Sequence, residues 1–107
     1  ILGLVGSEMC IRDRMRSHSL DLLCYPGMMG DPPEIDKVGR YYYLDWPLIT
    51  SPANLTGAPA ASVRVGYSVA NMPMSIQLTG KLFEDGKVLS AAHAYEMATP
   101  EFSKIME

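Results

Sequence analysis

The stretch N-L-T-G-A-P-A-A-S-V-R-V-G-Y-S (residues 54–68) runs on into M-P-M-S-I-Q-L-T-G-K-L-F-E-D (72–85) and A-A-H-A-Y-E-M-A-T (91–99), laying out strand, turn, strand and helix. Met74, Ile76 and Leu78 alternate with Ser75, Gln77 and Thr79, the period of a strand with one face built for a core. Residues 61–65 alternate less cleanly. Residues 68–73 supply a turn between the two, so the pair is expected to close as an antiparallel hairpin. Glu84 and Asp85 sit where a helix N-terminus favours negative charge. Over residues 86–98, Val88, Ala91, Ala92 and Tyr95 recur at three- and four-residue spacing and mark one apolar helix face, which Leu89 and Ala98 are expected to widen. Pro100 follows the stop.

Upstream, residues 48–55 read as a short helix closed by Gly57, a residue that readily takes the left-handed conformation, and Pro59 then commits the chain to extended geometry. Residues 20–25, L-D-L-L-C-Y, form an apolar run stopped by Pro26-Gly27, which fits a buried strand ending in a turn. Cys24, inside that run, is expected to be a buried strand thiol. Residues 15–19 read as the last turn of a helix that began upstream, and residues 28–39 as a loop in which Pro32 and Pro33 forbid a helix interior. Tyr41, Tyr42, Tyr43 and Trp46 follow as an aromatic cluster. Three consecutive tyrosines cannot share one face of a helix or strand, so some meet solvent, a groove or another part of the protein.

Composition narrows the function classes. The chain has 107 residues, 48% of them hydrophobic and 20% charged, with a formal net charge of -3. That balance offers no basic stripe for tracking phosphates, so no nucleic acid is expected as a direct partner. No stretch approaches the roughly twenty apolar residues of a membrane span, and no secretory leader is evident, so a soluble, cytoplasmic protein without a membrane partner is expected. With Cys10 and Cys24 the only cysteines, no disulfide framework and no metal spacing arise. No dinucleotide or Walker loop is present, and no cofactor or metal site is expected.

In order and spacing, the three pieces between Asn54 and Thr99 resemble the C-terminal end of amidase-signature hydrolases, which typically read N-L-[TA]-G-x-P-A-x-S-V-P-x-G, then G-L-P-[VI]-G-[LI]-Q-L-[VI]-G-x-x-[FY]-D-E, then A-H-A-[FY]-E. Residues 21–26, D-L-L-C-Y-P, also resemble the family's D-[VL]-L-[LV]-x-P, with Cys24 departing from it at the fourth position. The resemblance implies an α/β chain: a fragment of the amidase-signature fold, with a few core strands including the antiparallel hairpin and a C-terminal helix. It implies that the intact protein hydrolyses a carboxamide, a small-molecule amide, by acyl transfer through serine. The aromatic region and the loop before it would approach the substrate funnel, making Met28, Tyr43 and Trp46 candidate funnel-wall residues, with packing against upstream structure as the competing role.

Family enzymes use a Ser-cisSer-Lys triad, with the serines in a Gly/Ser-rich stretch whose amides also bind the oxyanion, because a serine hydroxyl alone is a weak nucleophile. Ser62, Ser68, Ser75, Ser90 and Ser103 lack that setting, and Lys37, Lys81, Lys87 and Lys104 have no serine relay to serve. No catalytic residue is therefore assigned to this chain, which is expected to be inactive alone, the N-terminal part of the same enzyme being its partner. His93, on the flank of the last long helix beside Glu96, is expected to be structural. The glutaminase subunit of tRNA-dependent amidotransferases usually has D-x-[FY]-T-x-P-x-N before the first motif. Aligned on Thr50, Pro52 and Asn54, Pro47 stands at the Asp position and Asp45 lies two residues early. This departure favours a stand-alone amidase over that subunit, with a non-catalytic interaction module as a reading of another class. A second departure is Arg64, where the family usually has Pro.

The N-terminus reads differently from the rest. G-L-V-G-S-E-M-C-I-R-D-R (residues 3–14) resembles the translation of a sequencing-library adapter, whose transposon end GAG ATG TGT ATA AGA GAC AG encodes Glu8-Met9-Cys10-Ile11-Arg12-Asp13 and the start of Arg14. Residues 1–14 are accordingly expected to be a non-native adapter-derived segment, and residues 15–107 the C-terminal part of an incomplete amidase domain.

Overall fold

The computed structural model describes residues 2–28, 30–37, 39 and 46–103. A helix, α1, spans Leu2–Ser17 and is followed by the short strand β1, Leu23–Pro26. The loop beyond holds one 3-10 turn, Ile35–Lys37, before helix α2, Trp46–Thr56. Strands β2 (Ala60–Tyr67) and β3 (Pro73–Thr79) come next, then helix α3 (Asp85–Ala98) and the single turn α4 (Pro100–Ser103).

Local chemistry sets these boundaries. Ser19, at φ 53, ends α1 in the left-handed region. Its N–H donates to the Arg16 carbonyl at 3.1 Å and the Leu20 N–H to that of Met15 at 2.9 Å, the paired bonds of a Schellman stop. Helix α2 carries Pro47 next to its start, where a missing N–H is harmless, but also Pro52 in its interior. The Thr56 hydroxyl donates to the Pro52 carbonyl at 2.7 Å, and Gly57 at φ +68 turns the chain out of the helix. Helix α3 stops where the Thr99 N–H and hydroxyl both donate to the Tyr95 carbonyl, at 3.0 and 2.8 Å.

The three strands form one antiparallel sheet in the order β1-β3-β2, so the alternating strand is the central one. The expected hairpin is present: Val63 faces Ile76 and Ala61 faces Leu78, and the loop closes through the Ser68 N–H to the Met72 carbonyl at 2.8 Å. The register shifts between Arg64 and Gly66, leaving Val65 as the extra residue of a bulge. Gly66 adopts φ +147, and the Phe102 ring lies 3.8 Å from where a Cβ would stand. A side chain there would be strained and would also displace the α4 turn.

Helix α3 lies over β2 and β3. Val63, Leu78 and Val88 form the buried cluster, with Leu22, Ala61, Ile76, Ala91, Ala92 and Tyr95 packed against it. The expected helix face is therefore the packed one, though narrower than expected. Leu89 is 65% exposed and Ala98 is exposed too, because each is turned away from the strip through Val88 and Tyr95. Met74 is also exposed, since it lies toward the hairpin loop, past the Ile76 end of the packed cluster. The opposite face of β3 is not the solvent face that alternation suggests: Gln77 and Thr79 are both buried. Cys24 is exposed rather than buried. It pairs with Leu78 on outer strand β1, and α3 covers β2 and β3 but leaves this strand's end of the face open.

The result is a slab of 42 × 36 × 19 Å with a Cα radius of gyration of 15.4 Å, against roughly 13 Å for a compact domain of this size. One helix layer on one sheet layer accounts for the 19 Å thickness.

Candidate functional site

Residues expected at a funnel wall lie on the connections leaving β1 and entering α2. Met28 is half-buried, two residues past the end of β1. Trp46 opens α2, which fixes its backbone, while Tyr43 lies outside the described residues, as do Tyr41 and Tyr42. What holds the Met28 end is visible in detail. The Gly27 N–H donates to the Ser75 carbonyl at 2.9 Å, and a Cβ on Gly27 would collide with the Ser75 hydroxyl oxygen.

Behind that exit is a polar network that sequence reasoning missed. The Tyr25 hydroxyl shares a hydrogen bond with Thr79 Oγ1 at 2.8 Å and accepts one from Gln77 Nε2 at 3.1 Å. Tyr25 stands opposite Gln77 in the β1–β3 ladder and diagonal to Thr79, a spacing that an aromatic side chain spans. Gln77 and Thr79 are 8% and 4% exposed, so these bonds keep polar groups satisfied away from water. The available signal was an amide and a hydroxyl two apart on the polar side of an alternating strand.

A second feature is an open cleft of about 310 Å³ between α1 and the segment after β3, lined among others by Met15, Arg16, Thr56, Lys81, Leu82 and Glu84. Ile11 and Arg12 complete its α1 side. Glu84 precedes α3 but makes no side-chain capping bond. Its Oε1 instead accepts from Lys87 Nζ at 3.2 Å, and Lys87 also reaches Asp21 Oδ1 at 3.3 Å. The Glu84 hydrogen bond, then that of Asp21, raises the Lys87 pKa above its ordinary value of 10.5. Glu84 Oε2 is buried without a hydrogen-bond partner.

None of this assembles a serine nucleophile. Ser62 and Ser90 are exposed, Ser68 Oγ accepts the Met72 N–H at 3.3 Å within the hairpin loop, and Ser75 abuts Gly27. Lys37 pairs with Glu34 at 2.6 Å and Lys87 with two carboxylates, while Lys81 lines a cleft whose described lining includes no serine. Lys104 lies outside the described residues, as does the Ser103 side chain. His93 and Glu96 are exposed on α3. Among the described residues no group of three His, Cys, Asp or Glu could hold a metal ion, and no helix is long and apolar enough to cross a membrane.

Comparison with known proteins gives this arrangement a family. Residues 7–89 match the Amidase family, a span that includes β1, the whole hairpin and the start of α3. The chain belongs to the Amidase family. It is 42% identical over 57 residues to the A subunit of glutamyl-tRNA(Gln) amidotransferase from Bacillus cereus (strain AH187) and from Bacillus anthracis (strain A0248), covering 53% of this chain and 12% of each relative. A crystal structure of the corresponding glutamyl-tRNA(Gln) amidotransferase subunit from Thermotoga maritima superposes with a TM-score of 0.64 at 35% identity, over 87% of this chain and 21% of that one. The α/β arrangement, with its hairpin and C-terminal helix, is thus that of an amidase-signature protein. This amidase-family chain spans about an eighth of the length of the curated relatives it matches. The family match opens at residue 7, inside the segment that resembles an adapter.

Proposed function

We propose that this chain is the C-terminal part of an enzyme that hydrolyses a small-molecule carboxamide by acyl transfer through an activated serine. The single observation that carries the reading is the match of residues 7–89 to the Amidase family, joined to a fold shared with the glutamyl-tRNA(Gln) amidotransferase subunit. The serine, its partner serine and the lysine belong upstream of residue 15, and residues 15–107 supply core strands, a stretch of funnel wall at Met28, Tyr43 and Trp46, and the closing helix α3. The chain alone is inactive, because catalysis needs an activated nucleophile and an oxyanion site together. Residues 1–14 are a non-native, adapter-derived segment, and the enzyme works in the cytoplasm without cofactor, membrane or direct nucleic-acid contact.

The experiment is hydrolysis of aliphatic and aryl amides by the full-length protein, with hydroxylamine added to trap the acyl group. Formation of hydroxamate alongside acid supports acyl transfer. Its absence across amide substrates sinks the reading. A second reading, the glutaminase subunit of a tRNA-dependent amidotransferase, is favoured by the names of the relatives. Pro47, at the position where that subunit usually has an aspartate, weighs against it. Glutamine as the preferred amide donor would decide for the glutaminase.

A further inference from the structure

No further inference is drawn: the strongest candidate, the open cleft of about 310 Å³ between α1 and the segment after β3 that Glu84 lines, takes part of its wall, Ile11 and Arg12, from the proposed adapter-derived segment, and nothing in the structure shows what occupies it.

Discussion

Gly80→Ala, made in the full-length protein, probes the joint where the three family motifs meet. A Cβ at Gly80 would stand 2.5 Å from Val88 Cγ2, 3.5 Å from Pro59 Cγ and 3.6 Å from Leu22 Cδ2. The last two are ordinary contacts, but the first is a clash that Val88 cannot relieve cheaply. Val88 is 2% exposed and β-branched, so its methyl cannot swing to another rotamer without striking the sheet. The backbone cannot retreat without stretching the 2.9 Å bond from the Gly80 N–H to the Pro59 carbonyl. Overpacking of this kind costs about 1–3 kcal/mol. Gly→Ala also removes unfolded-state freedom worth roughly 0.4–1 kcal/mol in the stabilising direction. The net expectation is a loss of about 1–2 kcal/mol, read as a lower urea midpoint at unchanged slope. Val88→Ala alone should lose about 1.5–3 kcal/mol of burial. In the double variant the methyl added at position 80 fills part of the vacated space, so the pair should lose less than the sum by more than about 1 kcal/mol. A midpoint for Gly80→Ala at or above the parent's, or strict additivity in the double variant, would refute the packing argument.

The purified 107-residue chain should turn over no simple aliphatic or aryl amide, and turnover abolished by a substitution within the chain would contradict this. Cys24, exposed on β1, should react with a disulfide reagent in the native Cys10→Ser chain about as fast as in denaturant; strong native protection would contradict the exposed strand edge. Because the raised Lys87 pKa stabilises the protonated form, its contribution should be fully present below the unfolded lysine value and vanish as pH rises through the folded one. Glu84→Gln should lower the Lys87 titration midpoint, followed by NMR at its side-chain carbons, more than Asp21→Asn does; the reverse order would contradict the assigned causes.

Much of the fold is legible in the sequence because the relevant signals are local. Alternation at Ile76 and Leu78 places β3, three- and four-residue spacing from Val88 to Tyr95 places α3, and Gly57 ends α2 in the left-handed conformation expected of it. What failed was the choice of covered faces. Alternation assigns Gln77 and Thr79 to a polar face, yet they are buried because Tyr25 reaches across from β1 to bond both. An apolar run assigns Cys24 to the interior, but burial depends on where α3 lies, and it lies over β2 and β3. The candidate site was less legible still. Met28 and Trp46 took their expected role from family resemblance, and the structure fixes their place in the chain path.

The central claim is that catalysis belongs to sequence upstream of Met15 and that residues 1–14 are foreign to it. A read of the natural locus across that junction tests it most directly. The expected result is an open frame continuing upstream from Met15, diverging from the sequence of residues 1–14 and passing through a Gly/Ser-rich serine stretch with a lysine before it. A native start codon at or near Met15, or a frame that retains Glu8-Met9-Cys10-Ile11-Arg12-Asp13, would contradict it.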